Sequence, residues 1–457
     1  YIQKILLPLF YTIQMSVTGT VLGIFFALVL SPFGAANLGF PAVIRRILRI
    51  VIQILRSFPA LILALTATFL FGLGTFAGTF AITLYTFAIM TKLTYEDASA
   101  ADVKAYQALR AMGVSKYVAY IHGILPEIIP GFLTNALYLL ETNVRHSSIL
   151  GYVGAGGIGL LLNEKISWLE YDKVGTILLM LFLTVCVIEY FSRYLAALIR
   201  KERTIKKEQA RLLLLFLAAL FLICTFTLSL PDFSRTSPQT LRNMFAGFLQ
   251  PDWSFFFSAE KDGLGYLLLE TVCIAFIGTV IGAIVSAPLA FLNTKRFVPA
   301  PVSFLFNLVI MVIRSVPFLV YGLIFIRVSG PGAFTGVLTL AVCSIGLLTK
   351  RFTEALDALD PRPYHALLAM GVRPLPAICH SVLPQLKPVF TSIILYRFDV
   401  NIREASVLGL VGAGGIGAPL IFSMNQYAWE KAGAIMLGLI LLVWFIDMVS
   451  EKIGAGN

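Results

Sequence analysis

Two pairs of oppositely charged side chains lie inside long apolar runs of this sequence. Glu141 and Arg145 are four residues apart, and so are Asp399 and Arg403, at matching positions 258 residues further along the chain. On a helix, residues four apart share a face, so each pair can neutralise itself. An ionisable residue inside an apolar run is costly, and it marks either a structural ion pair or a path for a polar solute. Both interpretations stay open at this point.

The two pairs belong to a duplication of the sequence. At the same spacing, Ala-Met-Gly-Val occurs at 111–114 and 369–372, and Gly-Ala-Gly-Gly-Ile-Gly occurs at 154–159 and 412–417. A constant spacing across several motifs does not arise by chance. We therefore interpret fold and function as one module used twice.

The composition is that of a membrane protein. Hydrophobic residues make up 58% of the 457 residues and charged residues 13%, with a mean hydropathy of +0.87, whereas a soluble domain has about 25% charged residues. In hydrocarbon only helices and closed barrels satisfy their own backbone, and the apolar runs lack the alternation of barrel strands. The predicted fold class is therefore all-α and polytopic. The apolar runs predict five spans and then six, at 10–30, 47–72, 74–90, 127–149, 174–199, 211–230, 264–290, 303–328, 333–349, 385–408 and 431–450.

Lys and Arg predict the orientation. They concentrate in loops that share one side of the predicted membrane, including 92–116, 200–207 and 350–387. Short loops rich in Lys and Arg are cytoplasmic, so the long segment 231–262 is predicted to be external. Six spans separate equivalent points of the two repeats, and an even number makes the modules parallel rather than inverted.

The duplication also predicts the domain organisation. The first module shows no counterpart of the 211–230 span, and residue 1 is Tyr rather than Met, so we expect an N-terminal helix to be missing from the first module. The predicted domains are a first permease module over 1–200 and a second over 201–457.

Further polar residues repeat near the ion pairs. Measured along the helix axis, the ion pairs lie roughly 20 Å after the preceding Leu-Pro sequences, which places them in the outer half of the bilayer. Asn143 and Asn401 lie between the pair members and would line the same passage. Arg56 and Arg314 each precede Ser-x-Pro. The proline would kink the helix, which suits a moving gate. In the alternative interpretation, each Arg lies near a helix end and extends its side chain to the membrane surface. The candidate substrate pathway is Glu141, Asn143, Arg145, Asp399, Asn401, Arg403, Arg56 and Arg314.

Each module has one long loop with the same pattern. An Ala-Leu pair is followed by a Gly five residues after the Ala, and by Leu-Pro twelve residues after the Gly. Gly permits positive φ and Pro cannot continue a helix, so the pattern predicts a short helix, a turn, a second short helix and a break. One such elbow would be an ordinary connection, but two copies favour a docking role. The candidate docking residues are Ala108, Gly113, Leu125, Pro126, Ala366, Gly371, Leu383 and Pro384.

The glycine string formally satisfies the dinucleotide-binding fingerprint. That interpretation fails because no strand precedes the string and it recurs between membrane spans. Two interpretations remain, a tight re-entrant turn that lets helices pack closely and a backbone nest that attracts an anion, and we favour packing. The residues of the glycine turn are Gly154, Gly156, Gly157, Gly159, Gly412, Gly414, Gly415 and Gly417.

Here the sequence resembles a known family. The Gly and Leu-Pro spacing resembles the coupling loop of binding-protein-dependent ABC importer permeases, although the usual Glu-Ala-Ala opening is replaced by Gln107-Ala108-Leu109 and His365-Ala366-Leu367. Segments 143–159 and 401–417 both read Asn-x-Arg-x-x-Ser-x-Leu-Gly-x-Val-Gly-Ala-Gly-Gly-Ile-Gly and resemble the phosphonate, phosphate and phosphite permeases. The resemblance covers nearly the whole chain, once per half, as a tandem fusion.

The resemblance implies a function. The chain would be the permease subunit of an ABC importer with the type I transmembrane fold, in the bacterial cytoplasmic membrane, and would carry a small phosphorus oxyanion. Two separate ABC ATPase subunits would bind its coupling loops, and a separate substrate-binding protein would dock outside. The same machine for another solute such as methionine is the first alternative, and an ATP-independent secondary transporter is the second.

Other classes find little support in the sequence. No Gly-x-x-x-x-Gly-Lys-[Ser/Thr] occurs, so we expect the chain to bind no cofactor and ATP to be used by a partner. No catalytic constellation or metal-ligand cluster is evident, so we expect neither an enzyme nor a metal site. The net charge of +11 lies in membrane-flanking loops and does not indicate nucleic acid. The five cysteines are interpreted as small hydrophobic residues.

Overall fold

The structure is a computed structural model that describes residues 2–199, 207–229, 231, 238–258, 260 and 263–455. Every regular element in these ranges is helical, which confirms the predicted all-α class. The chain divides into two compact units, Tyr1–Arg242 and Asn243–Asn457. The predicted domain boundary at 200/201 and most of its basic run lie outside the described residues, and the predicted external loop 231–262 is described only in part.

The first unit is built from long helices joined by short ones. Its helices are α1 (Ile2–Gly34), α2 (Ala42–Ser57), α3 (Ala60–Phe71), α4 (Thr75–Ala100), α5 (Lys104–Ala111), α6 (Lys116–Gly123), α7 (Leu125–Leu150), α8 (Ile158–Ser167), α9 (Tyr171–Ile199) and α10 (Lys207–Phe226), with a 3-10 turn at Gly151–Val153. Helix α11 (Pro238–Leu249) runs across the boundary between the units.

The second unit repeats this order. Its helices are α12 (Trp253–Phe256), α13 (Leu264–Asn293), α14 (Ala300–Ser315), α15 (Phe318–Ser329), α16 (Ala333–Ala358), α17 (Arg362–Ala369), α18 (Pro374–Ala377), α19 (Leu383–Leu408), α20 (Gly417–Asn425) and α21 (Trp429–Ala455). A π-helix at Ile378–Val382 precedes α19, and a 3-10 turn at Gly409–Val411 follows it.

In the described residues, each of the eleven predicted spans lies mainly on helix. In the described part of the chain, seven helices are long and apolar enough to cross a membrane alone, and three further spans would each be a bent pair of helices. A shorter apolar helix at Leu214–Phe226 falls within the predicted span 211–230. Local hydrophobicity therefore predicted where the membrane helices lie.

Two of the predicted spans are sharply bent at their Ser-x-Pro sequences, where a kink was predicted. Within 47–72, α2 and α3 meet at 95°, and within 303–328, α14 and α15 meet at 85°. Phe58 and Val316, the residues before the two prolines, have extended backbone. The proline ring excludes the helical conformation from the residue that precedes it. The predicted kinks are thus near right angles.

Glycines let two long helices pack closely in each unit. Gly19 and Gly23 of α1 lie against α4, where an added Cβ would come within 2.8 Å of the Cβ of Ile82 or 2.7 Å of the Cβ of Thr86. In the second unit, the corresponding glycines of α13, at 278 and 282, lie against α16 in the same way. These are Gly-x-x-x-Gly pairs, which let two membrane helices approach at backbone distance.

Helix α10 extends the first unit beyond its predicted end. It packs on α1, where Gln14 donates from Nε2 to the carbonyl oxygen of Cys224 at 3.0 Å and to Oγ1 of Thr227 at 2.8 Å. A helix that the duplication places in the second module therefore lies in the first compact unit. The division into modules at 200/201 stays a prediction.

Candidate functional site

Both predicted ion pairs form. In α7, Arg145 donates from Nη2 to Oε1 of Glu141, and in α19, Arg403 donates from Nη2 to Oδ2 of Asp399. The four side chains are 7 to 15% exposed within their units. Each pair is thus nearly buried and locally neutral, as a charge inside a membrane span must be. Their assignment to a substrate pathway stays a prediction.

A third repeated acidic residue lies close to the first pair, and the sequence analysis missed it. Glu189 of α9 is 3% exposed and pairs with Arg193, and Cys186 lies within electrostatic range of both Glu189 and Arg145. The matching residue in the second unit is Asp447 of α21. The constant 258-residue spacing was the signal that could have found it.

The two asparagines join three helices. Asn143 donates from Nδ2 to Oγ1 of Thr20 on α1 and of Thr86 on α4, both at 2.8 Å. Asn401 makes the same connections in the second unit, to Thr279 at 2.6 Å and to Ser344 at 2.9 Å. Both asparagines are 0% exposed. These contacts are those of helix packing, and a place along a solute path stays a prediction for them.

The second unit carries an additional buried ion pair. Arg397 donates from Nη2 to Oε2 of Glu404 at 2.7 Å and from Nε to Oγ of Ser344 at 3.2 Å. The first unit has Leu139 and His146 at the matching positions. This pair was not predicted, because its members are seven residues apart and the predicted ion pairs rest on a spacing of four.

Arg56 and Arg314 lie just before the two bends. Each occupies the last turn of its helix, α2 or α14, and each is half-buried. A cation at a helix C-terminus is stabilised by the helix dipole, whatever else it does. Their assignment to the substrate pathway stays a prediction.

Both elbows form the predicted turn at glycine, but only the first has the predicted break before the next span, and for the second elbow that part of the prediction is wrong. Helices α5 and α17 each end in a turn at Gly113 or Gly371, with φ of +85° and +81°. An added Cβ at either glycine would meet no atom within 4 Å, so backbone conformation alone requires glycine there. After the first elbow, the chain bends by 69° between α6 and α7. The second elbow instead passes through the π-helix, and the helical rod from Ile378 to Val411 is continuous.

Each elbow is anchored to its own unit and exposes a methionine at its tip. Tyr106 donates to the carbonyl oxygen of Leu38 at 2.6 Å, and the matching Tyr364 packs edge-on against Phe297 at 5.6 Å. At the start of the first elbow, the backbone N–H of Lys104 holds the pKa of Asp102 below its usual value. At the tips, Met112 and Met370 are 70 and 78% exposed. Methionine adapts its shape to a partner, so both tips suit docking.

The glycine turns pack tightly against their surroundings. Gly154, Gly156 and Gly157 all have φ between +77° and +83°. An added Cβ at Gly157 would lie 2.8 Å from Oγ1 of Thr12 and from Cε of Met15. The carbonyl oxygen of Gly154 accepts from the N–H of Gly74 at 3.1 Å, which fixes the turn beside the start of α4. The second turn makes the equivalent bond between Gly332 and Gly412 at 2.9 Å. These contacts are those of the packing interpretation.

In the second turn, a carboxylate of the same unit meets the backbone donors. Gly415 donates its N–H to Oε2 of Glu270 at 3.2 Å, and Ile416 donates to Oγ1 of Thr271 at 3.0 Å. In the first unit, Ile158 makes the equivalent bond to Thr12 at 2.8 Å, but Tyr11 occupies the position of Glu270. An anion does lie at the second glycine turn, and it belongs to the chain itself.

The described ranges contain no group of three or more His, Cys, Asp or Glu side chains placed to hold a metal ion. All five cysteines are free thiols. The candidate site therefore consists of ion pairs within the spans, whose charges neutralise each other, and of exposed elbows in the loops.

Two helical repeats with bent spans, nearly buried ion pairs and matched elbows define a membrane permease. The chain matches the family described as binding-protein-dependent transport system inner membrane component, over residues 19–204 and 278–453. Because these matches cover more than half of the chain, one in each half, the chain belongs to this family. It is a multi-pass protein of the cytoplasmic membrane that takes part in transport.

Relatives match one or both halves. The phosphate-import permease protein PhnE of Mycolicibacterium smegmatis is 28% identical over 447 residues, covering 96% of this chain and 83% of its own length. The phosphite transport system permease protein PtxC of Stutzerimonas stutzeri is 36% identical over 184 residues, covering 40% of this chain and 67% of its own. Among solved structures, the inward-facing MetNI methionine ABC transporter is 18% identical with a TM-score of 0.39, covering 42% of this chain and 96% of that one. The family resemblance found in the sequence is confirmed.

Proposed function

We propose that this chain is the permease of an ABC importer that carries a small phosphorus oxyanion, namely phosphonate, phosphate or phosphite, with both permease modules in one polypeptide. The observation that carries this proposal is the similarity over 96% of the chain to a phosphate-import permease. The phosphite permease supports the same substrate class from one module. The exposed elbows support an ATP-driven mechanism, because a secondary transporter needs no such pair.

The proposed partners follow from the two faces of the permease. One ATPase subunit would bind at each elbow, with Met112 or Met370 entering a groove of that subunit. A separate binding protein would deliver the anion from outside. The anchoring bond from Tyr106 to Leu38 would pass a movement of the first elbow to the junction of α1 and α2.

ATP would be bound and hydrolysed by the partner subunits, and this chain would bind no cofactor of its own. Closure of the ATPases would draw the elbows together and open the passage outward, and hydrolysis would reset it. The ion pairs would keep the spans neutral, so that an anion is admitted without being trapped by an unpaired cation. No covalent bond of the solute would change.

The deciding experiment is uptake into proteoliposomes that contain this chain, its ATPase and its binding protein. Labelled methylphosphonate, phosphate and phosphite are offered separately, with and without internal ATP. We expect ATP-dependent uptake of at least one of them and none without ATP. ATP-dependent uptake of methionine alone would overturn the phosphorus substrate but keep the importer, and uptake that ignores ATP would overturn both.

Gly371→Arg tests the coupling separately from the substrate. The glycine lies in an exposed turn with open space around it, so arginine would meet no clash. It would cost only about 1 to 2 kcal/mol for the left-handed backbone, which should leave the unit folded while the side chain obstructs a docked ATPase. We expect ATP-driven uptake to be lost while the variant still inserts in the membrane. Normal uptake by this variant would contradict the docking role of the second elbow.

A further inference from the structure

Helix α2 carries apolar and basic residues on different sides. Its exposed aliphatic side chains recur at helical spacing, and we call them the aliphatic stripe: Val43, Ile47, Ile50 and Ile54. Arg45 and Arg49 lie on the opposite side of the helix. From its first to its last residue, the stripe extends about 16 Å along the helix axis. The helix therefore turns the aliphatic stripe away from its own unit.

Two arginines fix the start of α2 beside the end of α1. Arg49 donates from Nε and Nη2 to the carbonyl oxygen of Gly34 at 3.0 and 2.9 Å, and its guanidinium carbon lies 5.0 Å from the ring centre of Tyr95. Arg45 donates from Nη1 to the carbonyl oxygen of Ala36 at 3.4 Å. The distribution of Lys and Arg predicts that this end of α1 lies at the cytoplasmic surface. The aliphatic stripe thus starts at that surface and leads into the membrane.

Two further cations lie at the same end of α2. Arg46 is exposed and follows Arg45 directly. Lys116, the first residue of α6, donates from Nζ to the carbonyl oxygen of Gly39, and its Nζ lies 5.9 Å from the ring centre of Phe40. We call Arg45, Arg46 and Lys116 the basic cluster. Its members come from two elements of the first unit and gather around the loop between α1 and α2.

Within the part of the chain that the structure describes, no ion pair joins the basic cluster to a carboxylate. At the end of α4, Glu96 lies 3.6 Å from Lys92 instead, and Asp102 lies 3.2 Å from Lys104. The cluster therefore keeps its positive charge at the predicted membrane surface. Cations gathered beside apolar surface on the cytoplasmic side are suited to the headgroups of anionic lipids.

Helix α14 of the second unit repeats the stripe without the cations. The positions that match the aliphatic stripe are exposed and apolar there as well: Pro301, Leu305, Leu308 and Val312. The positions that match Arg45, Arg46, Arg49 and Lys116 hold uncharged residues: Ser303, Phe304, Asn307 and Pro374. Lys295 and Arg296 precede α14, but Arg296 bonds the carbonyl oxygens of Asp357 and Leu359. The two units thus share an apolar surface and differ in its charge, which makes α14 an internal control.

We propose that the start of α2 binds an anionic phospholipid of the cytoplasmic leaflet. Arg46 contacts the lipid phosphate, Arg45 and Lys116 add positive charge at the same end of the helix, and an acyl chain lies along the aliphatic stripe. Arg49 holds the helix in place through its bonds to Gly34. The occupant is a lipid because charge and apolar surface adjoin on one helix, and an amphiphile meets both at once. Helix α14, which has the stripe alone, does not select lipids by charge.

The first test identifies the lipid at α2. The full chain is placed in phosphatidylcholine vesicles that contain a trace of phosphatidylglycerol or of phosphatidylcholine, each with a photoactivatable diazirine on one acyl chain, and labelled peptides are mapped by mass spectrometry. Phosphatidylglycerol should label α2 about tenfold more than the neutral probe does, whereas both should label α14 equally. Equal labelling of α2 by the two probes would overturn the proposal. So would no labelling of α2 by either probe, because protein would then cover the stripe.

The second test removes single charges from the basic cluster. Arg46→Gln should lower the preference of α2 for phosphatidylglycerol about fivefold, which is the value of one cation near an anionic surface, whereas Arg46→Lys should keep most of it. Lys116→Gln should also lower the preference. Arg373→Gln is the matched control, because Arg373 is an exposed cation of the second elbow, and it should change nothing at α2. A preference that survives both Arg46→Gln and Lys116→Gln would overturn the role of the cluster.

Competition separates a lipid from a soluble anion. Inorganic phosphate should leave the labelling of α2 by phosphatidylglycerol equal to that in sodium chloride of the same ionic strength. If phosphate abolishes the preference and chloride does not, the cluster binds a soluble anion and the lipid assignment is overturned. Labelling needs neither the ATPase nor transport, so failure of the proposed function would leave this result unchanged.

Discussion

Arg397 and Glu404 form an ion pair inside the second unit, with Nη2 of the arginine 2.7 Å from Oε2 of the glutamate. The first unit keeps the same helices around Leu139 and His146 at the matching positions. The repeat is therefore a natural control, because it shows that this packing does not need the pair. A buried pair of charges costs desolvation that a well-packed neutral pair avoids.

Breaking this pair should be more harmful than removing it. Glu404→His alone leaves a nearly buried arginine without its carboxylate, and we expect a loss of about 3 kcal/mol in stability. Arg397→Leu together with Glu404→His restores the chemistry of the first unit and should come within about 1 kcal/mol of the parent. Thermal unfolding in detergent measures both. The exposed pair of Arg351 and Glu354 is the control, and its loss should have almost no effect. A double variant as unstable as the single one would contradict this account.

The methionines at the elbow tips should govern ATPase binding. Met112→Glu and Met370→Glu place a charge where we expect an apolar groove, and each should weaken association with the ATPase by about tenfold or more. Met112→Leu and Met370→Leu are the controls and should bind normally. Co-purification and titration of ATPase activity measure the effect. If the glutamate variants bind like the leucine variants, the methionines do not enter the ATPase.

The asparagines should act on stability. Asn143→Ala removes both donors to Thr20 and Thr86, and we expect a loss of about 1 to 3 kcal/mol, with uptake per folded molecule little changed. Asn401→Ala should behave in the same way in the second unit, whereas the exposed Asn425→Ala should be neutral. Melting temperature and uptake are measured on the same preparations. Loss of uptake at an unchanged melting temperature would instead assign the asparagines to the solute path.

The glycine turns should tolerate no side chain. At Gly415, φ is +77° and an added Cβ would lie 2.7 Å from Oγ1 of Thr271. Gly415→Ala should therefore cost about 1 to 2 kcal/mol for the left-handed backbone alone, with the clash in addition. Gly175 of α9 is the control, because its Cβ would meet no atom within 4 Å, and alanine there should be neutral or stabilising by up to about 1 kcal/mol. Thermal unfolding of the two variants in detergent makes the comparison, and equal stability would contradict the packing interpretation.

Part of the site could be predicted because its causes are local. Gly113 and Gly371 were expected at turns because only glycine adopts positive φ at no cost, and both turns form. Glu141 and Arg145 were expected to pair because four residues of helix bring them together. The bends before Pro59 and Pro317 were expected as kinks, but their size depends on Phe58 and Val316, whose extended backbone carries the chain into a new direction.

By itself, the sequence determined that this is a duplicated, all-helical membrane permease, because hydrophobicity, glycine turns and a constant repeat spacing act over short stretches of chain. Tertiary structure alone decided which partners these residues meet. Asn143 finds Thr20 across 123 positions, and Gly415 finds Glu270 across 145. Such contacts depend on how three helices pack, and side-chain patterns along one helix do not contain that information.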